Sequence, residues 1–256
     1  MSNTPLADKI SLVTGGGRGI GAAIAQMLAE LGSTVVSCGR SLPALEATAQ
    51  KIGLTGGQCE AIQCDVTDWN SVAAMANRVE QTFGRLHILV NNAGVGSFDG
   101  PLHGMRLEDW ETIFNTNLRG VFYTMRAFTP LMIKTGQGDV INISSIASKN
   151  PLPNGAAYAA SKWGLNGLSY SVAEELRAKN IRVTVVCPGS VHTEFSPHEG
   201  KDASKMLQPE DVGRTIAFVA SMPAHVCVNE ILISPVANRA FLGAYSSNDS
   251  SSLSSS

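Results

Sequence analysis

From Ile10 onward, short runs of β-branched and apolar residues alternate with longer stretches of helical periodicity, and this order limits the fold more than anything else in the chain. The short runs fall at about Ile10–Val13, Thr34–Cys38, Cys59–Gln63, His87–Val90, Asp139–Ile143, Arg182–Val186 and Glu230–Ile233. Between them lie helical stretches at roughly Gly19–Leu31, Leu42–Ile52, Trp69–Phe83, Leu107–Lys134 (with a break allowed), Ala156–Lys179 and Pro209–Ala220. Parallel strands need a crossover, and a crossover helix lands on a face of the sheet, so alternation predicts a parallel sheet with helices on both sides. The prediction is a single-domain α/β chain of the Rossmann type, with a doubly wound seven-stranded parallel sheet. Such sheets bind ligands outside the carboxyl ends of their strands, which fixes where to look for chemistry.

With 256 residues the chain is long enough to bury a large core, and residues 1–245 are taken as one catalytic domain. Residues 246–256, "SSNDSSSLSSS", hold little apolar surface to bury and are expected to be a flexible tail. Charged residues make up 16% against 44% hydrophobic, with a net charge of −2, which argues against nucleic acid or an acidic membrane and for a small-molecule partner. No apolar run reaches the roughly 20 residues of a membrane span, and "MSNTPLADKI" lacks a secretory pattern, so a cytoplasmic protein is expected. The five cysteines are scattered and form no C-x-x-C pair, giving no disulfide framework and no metal site.

The first strand runs straight into "TGGGRGIG", Thr14 to Gly21, which opens a helix. Glycines there let the backbone turn sharply and let a pyrophosphate approach the amides at the helix N-terminus. Gly15, Gly17 and Gly21 miss the G-x-G-x-x-G spacing, but Gly15, Gly19 and Gly21 fit T-G-x-x-x-G-x-G, a variant of the same device. Arg18 and Ile20 lie inside this turn. At the end of the second strand, where an acidic residue would receive a free ribose 2′-hydroxyl, the chain has Gly39 and Arg40. Arg18 and Arg40 together suit a 2′-phosphate, so the cofactor is read as NADP (NADPH).

Tyr158 and Lys162 stand four apart in "AAYAASKWG" and leave one face of a helix, where an ammonium could make the phenol acidic. Alone, the pair is equally an ordinary amphipathic surface. With "VINISSIAS" ending the fifth strand nearby, however, the chain resembles a single-domain short-chain dehydrogenase/reductase from about Lys9 to Val236. The resemblance rests on "TGGGRGIG", "CDVTD", "NNAG", "NTNLRG", "NISS", "YAASK" and "PGSVHT", seven segments in family order.

That resemblance implies four catalytic residues, Asn117, Ser145, Tyr158 and Lys162. Tyr158 would exchange the proton at the substrate oxygen while nicotinamide carries the hydride. A tyrosine titrates near 10, so bringing it to neutrality asks for roughly 3 pKa units, about 4 kcal/mol. Lys162 would contribute its ammonium and hold the nicotinamide ribose, Asn117 would help a water relay protons, and Ser145 would donate to the substrate oxygen. Ser145 is preferred to Ser144 because it lies thirteen residues before Tyr158 (158 − 145). The same transfer places Asp65 and Val66 beside adenine, Asn91 to Gly94 (Asn91, Ala93 and Gly94 among them) under the adenosine ribose, and Pro188, Gly189, Val191 and Thr193 around the nicotinamide. Asp65 could equally cap the next helix.

The ending "PAHVCVNEILISPVANR" departs from the V-D-G-G-like end of many relatives and resembles the NADP-dependent branch acting on small 3-hydroxy acids and assorted carbonyl compounds. The short, polar "EFSPHEGKDASKMLQPED" also favours a small substrate. Two alternatives stay open: a 3-oxoacyl-acyl-carrier-protein reductase, for which Arg177, Lys179 and Arg182 could form a basic patch if they are not simply a solvated face, and an NADPH-binding sensor without turnover. No G-x-S-x-G occurs, which sets a serine hydrolase aside. The resemblance also implies a homodimer or homotetramer.

Overall fold

The computed structural model describes residues 4–98, 100–195 and 202–236, so the expected serine-rich tail lies outside the described residues. Seven strands form one sheet: β1 (Ile10–Thr14), β2 (Thr34–Gly39), β3 (Gln58–Gln63), β4 (Ile88–Asn91), β5 (Gly138–Ile143), β6 (Ile181–Pro188) and β7 (Glu230–Ile233). Their spatial order is β3-β2-β1-β4-β5-β6-β7, and every pair is parallel. The order turns back on itself between β1 and β4, and the crevice at their carboxyl ends is the topological switch point.

Helices α1 (Gly19–Glu30), α2 (Leu42–Leu54), α3 (Trp69–Phe83), α4 (Leu107–Phe114), α5 (Gly120–Thr135), α6 (Ala156–Arg177) and α7 (Pro209–Ala220) cover the two faces. Alternate strand residues serve opposite sides. Leu12, Val36, Leu89 and Val140 join Met125, Phe128 and Leu165 on one face, whereas Val13, Val35, Val90 and Ile141 join Ile24, Leu28 and Ile216 on the other. A strand buried on both faces shows no polar alternation, which is why "ISLVT" is buried throughout.

Local chemistry sets the ends of the elements. Asp68 caps α3 by accepting from Asn70 N–H at 3.0 Å, and Gly84 leaves that helix at φ 67°. Pro209 opens α7 inside a capping box between Gln208 and Asp211. The stretch predicted as Leu107–Lys134 does not break; it widens. Between α4 and α5, residues Asn115–Arg119 form a π-turn in which Gly120 N–H reaches back to Asn115 C=O. Gly120 is required there because a Cβ would meet Val66 Cγ2 at 3.0 Å and Val66 O at 3.2 Å.

Candidate active site

The glycine turn is built as the T-G-x-x-x-G-x-G reading requires. Gly15 and Gly19 have φ of 67° and 52°, a region L side chains rarely adopt. At Gly21 a Cβ would lie 2.1 Å from Gly15 O, so α1 leaves the turn in direct backbone contact with it. Gly17 packs on the start of α2, where a Cβ would meet Ala44 Cβ at 3.1 Å, and its carbonyl accepts from Thr48 Oγ1 at 3.3 Å. Ile20 packs into the core beneath. Helix α1 has no side-chain cap and no acidic residue in its first turn, so its N-terminal amides and positive dipole end suit an anion.

Gly39, whose absent Cβ would lie 3.9 Å from Gly15 Cα, sets exposed Arg40 beside this turn. Arg18, also exposed, pairs with Glu194 at 3.2 Å. Such a solvated pair contributes at most about 1 kcal/mol and exchanges readily for a phosphate. Thr193 comes within van der Waals distance of Gly19, with Thr193 Cγ2 3.4 Å from where a Cβ would stand, so the segment after β6 reaches over the turn.

Asn117, Ser145, Tyr158 and Lys162 converge at the carboxyl ends of β4 and β5. The Ser145 side chain, whose Oγ accepts from Ala147 N–H at 3.1 Å, lies near enough to the Tyr158 hydroxyl to favour its ionised form. Lys162 Nζ donates to Ile143 O at 2.8 Å and lies 5.7 Å from the centre of the Tyr158 ring. Gly94 faces both remaining members, with its missing Cβ 3.4 Å from Asn117 Oδ1 and 3.7 Å from Lys162 Nζ. Asn117, wholly buried in the π-turn, accepts from Val95 N–H at 2.8 Å and donates to Val95 O at 2.9 Å and Ser161 Oγ at 3.1 Å. Ser161 Oγ in turn donates to Tyr158 O at 2.7 Å, closing a path from the π-turn to the helix that carries the phenol.

The electrostatics differ from the expectation that the ammonium makes the phenol acidic. Burial pushes the Tyr158 phenol up to about 12, with the hydrogen bond from Ser145 opposing it, and burial pulls Lys162 down to about 8. Both groups are driven towards their neutral forms, because removing charge from water outweighs their mutual attraction at this separation.

A family model described as short chain dehydrogenase matches residues 9–204 of this chain. The chain belongs to the short-chain dehydrogenase family. A metagenomic short-chain oxidoreductase solved in complex with NADP is 42% identical, with a TM-score of 0.81 over 90% of this chain and 97% of that one. The alcohol dehydrogenase of Thermococcus sibiricus, complexed with 5-hydroxy-NADP, is 30% identical, with a TM-score of 0.84 over 90% and 98%. Among curated proteins, a 3-oxoacyl-[acyl-carrier-protein] reductase of Synechocystis is 37% identical over 231 residues, 86% of this chain and 92% of its own.

In this short-chain dehydrogenase, packing sets the surroundings of the remaining expected positions. The side chain of Asn91 turns into the core: it donates to Asn142 Oδ1 at 2.8 Å and accepts from Thr124 Oγ1 at 2.6 Å, leaving only its main chain at the strand end. Asp65 does not cap α3, which Asp68 does; its Oδ1 accepts from Thr67 N–H and Oγ1 in a local turn. Val66 packs against Gly120. Gly189 N–H donates to Ile233 O at 2.8 Å, joining the end of β6, with Pro188, to β7. Val191 is buried and bridges to Leu207. Ser144 is a structural neighbour, as expected, donating to Asn166 Oδ1 at 2.6 Å.

Asn92, expected with its neighbours under the ribose, has a structural task, and two aromatic residues, Phe98 and Phe195, gave no sequence signal of their own. Asn92 Nδ2 donates to Thr14 O at 2.9 Å, and Thr14 Oγ1 accepts from the N–H groups of Asn92 and Ala93 at 3.0 Å, so β4 clamps the glycine turn. Phe98 and Phe195 stand against Tyr158, with ring centres 5.4 and 5.8 Å from its own. Among the described residues, no group of three or more His, Cys, Asp or Glu side chains could hold a metal ion. No described helix is long and apolar enough to cross a membrane.

Proposed function

We propose that this chain is an NADP(H)-dependent oxidoreductase that interconverts a small secondary alcohol and the corresponding carbonyl. A 3-hydroxy acid or close derivative is the substrate class suggested by the C-terminal resemblance. The observation that carries the proposal is the gathering of Tyr158, Ser145 and Lys162 beside the switch point of the sheet, with Lys162 Nζ 5.7 Å from the Tyr158 ring centre.

The residues present fit a dinucleotide phosphate. A Cβ at Gly21 would fill the cradle, the α1 amides lack an internal cap, and Arg18 and Arg40 offer guanidinium groups for a 2′-phosphate. The NADP complexes of two relatives support the same choice. When bound, the nicotinamide supplies or accepts the hydride.

The chain's own residues handle the proton. With its phenol pushed up to about 12, Tyr158 is protonated at neutral pH and is the donor to a carbonyl oxygen during reduction. Ser145 is the second donor to that oxygen and stabilises its developing charge. Lys162 holds a charge whose loss near pH 8 removes the local cation. Both Nδ2 hydrogens of Asn117 are engaged, so its part in a water relay falls to the second lone pair of Oδ1.

The Synechocystis relative supports a second reading, a 3-oxoacyl-carrier reductase. The expected basic patch does not assemble for it: Arg182 is turned inward on Asp139 at 2.6 Å and on three carbonyls of residues 222–226, while Arg177 pairs with Glu174. A cytoplasmic homodimer or homotetramer remains our reading of the assembly, supported by an open groove of about 440 Å³ lined by Phe114, Leu118, Phe122 and Leu168. Loss of reduced-nicotinamide absorbance across a panel of ketones tests the function. Turnover with NADPH is expected; tight NADPH binding without any turnover would make the chain a sensor.

A further inference from the structure

We infer that Phe98 and Phe195 form an aromatic wall that selects uncharged substrates, so that the substrate class is the neutral ester or aryl ketone rather than the free 3-oxo or 3-hydroxy acid. The inference rests on Tyr158 being the proton donor proposed above. Three rings meet at the site: Phe98 lies edge to face with Tyr158 at 5.4 Å and 68° and with Phe195 at 6.5 Å and 64°, and Tyr158 is tilted against Phe195 at 5.8 Å and 56°. They come from separate parts of the chain, the loop after β4, helix α6 and the segment after β6, so the cluster depends on the tertiary fold.

The backbone around the cluster leaves space for it. Gly96 lacks a Cβ where one would stand 2.7 Å from Phe98 Cζ and 3.3 Å from Phe195 Cζ. Gly155 likewise lacks one where it would meet Leu152 Cδ2 at 2.5 Å and Phe98 Cδ1 at 3.2 Å. Phe98 is half-buried, whereas Phe195 keeps 42% of its surface exposed, an apolar face on the solvent side of the tyrosine. A carbonyl whose oxygen reaches Tyr158 and Ser145 must lay a substituent against these rings. Aromatic edges and faces favour apolar and aromatic groups and provide no counter-charge for a carboxylate, whose desolvation there would go uncompensated.

Among the described residues, Arg18 pairs with Glu194, and Lys149, four residues beyond Ser145, pairs with Glu230 at 2.7 Å while donating to the Tyr170 hydroxyl at 3.0 Å; Lys162 Nζ is turned to Ile143 O. Glu194 also places a carboxylate next to Phe195 in the chain. A free acid would meet an apolar wall.

The test compares 3-oxobutanoate with its methyl ester, and acetophenone with pyruvate, as substrates of the full chain with NADPH. The ester is expected to exceed the acid in kcat/KM by about tenfold or more. Phe98→Ala should raise KM for acetophenone about tenfold while leaving NADPH affinity unchanged. Phe195→Arg, at an exposed position that tolerates a long side chain, should narrow or invert the ester-to-acid ratio. Preference of the wild type for the acid, or an unchanged ratio in Phe195→Arg, overturns the inference while leaving the oxidoreductase reading in place. If nothing is turned over, equilibrium dialysis of acetophenone against the NADPH-loaded protein decides: binding that Phe98→Ala abolishes sustains the wall and sinks the catalytic reading, and absence of binding overturns the wall as well.

Discussion

Gly21→Ala isolates the contact on which the cofactor turn depends. A Cβ there would stand 2.1 Å from Gly15 O and 2.5 Å from Asn92 Nδ2. Reaching an ordinary contact distance of about 3.5 Å requires an opening of more than roughly 1 Å. The turn cannot yield easily, because Asn92 Nδ2 is itself committed to Thr14 O at 2.9 Å and Gly15 already sits at φ 67°. Helix α1 cannot retreat either: α7 lies so close behind it that a Cβ on Gly213 would be 3.2 Å from Ala23 O. Overpacking against backbone on both sides falls at the top of the usual range, about 3 kcal/mol. In a chain of this size that corresponds to a fall in Tm of roughly 6–12 °C. NADPH affinity should fall with it, since the turn moves. Gly53→Ala is the control: nothing lies within 4 Å of its Cβ position, and the residue is within α2. That change should be neutral or stabilising by up to about 1 kcal/mol. Differential scanning calorimetry and NADPH fluorescence titration report both quantities. A Gly21→Ala protein that melts with the wild type and binds NADPH equally would refute the close approach of α1 to the turn.

Four further outcomes are expected. Tyr158→Phe should lower kcat roughly 10²-fold or more with NADPH affinity retained, and near-normal single-turnover rates in the mutant would remove Tyr158 as proton donor. Arg40→Asp should weaken NADPH binding about ten- to a hundred-fold and spare NADH, read as kcat/KM for each cofactor; an unchanged ratio would make Arg40 a solvated loop residue. Burial holds the Lys162 amine near 8 against 10.5 when unfolded, so the unfolded chain binds more protons across that interval and stability should rise with pH through it. Lys162→Met should flatten that rise in denaturant midpoints, and parallel curves for the two proteins would contradict the shift. Buried His87 accepts from Ile10 N–H at 3.0 Å and is held down to about 4 by burial, with Lys9 and Arg85 adding to the effect, so stability should be lost as pH falls from 6.5 towards 4. His87→Asn, which can still accept that bond but does not titrate, should resist the acid step, as far-ultraviolet circular dichroism would show.

The fold was legible because its signals are local and repeated. β-Branched runs mark the strands, helical periodicity marks the crossovers, and the alternation of the two admits few topologies; all seven strands fall within two residues of where periodicity puts them. Residues fixed by backbone need were legible for a similar reason. Gly15, Gly19 and Gly21 occupy conformations or contacts that exclude a side chain, and the spacing of the three records that. What escaped was settled by tertiary contact. Asn91 and Asn92 are adjacent and chemically identical, yet one turns to Asn142 in the core and the other to the glycine turn, because successive residues leaving a strand face opposite ways. Phe98 and Phe195 read as loop aromatics until β4, α6 and β6 bring them to Tyr158.

The tyrosine and lysine show where residue spacing stops being informative. One helical turn does set Tyr158 and Lys162 on the same face, but proximity alone leaves the sign of the pKa change open. The ammonium is tied to Ile143 O and lies 5.7 Å from the ring centre, while both side chains are almost wholly buried. Burial is the largest influence on each group, and the phenol rests protonated. This state suits carbonyl reduction directly. Alcohol oxidation needs the phenolate first, and from about 12 to neutrality that asks for roughly 7 kcal/mol at 1.36 kcal/mol per unit. Hence the oxidation rate should climb with pH above neutrality while the reduction rate, as far as Tyr158 sets it, stays level; an oxidation rate flat over that range would refute the raised phenol.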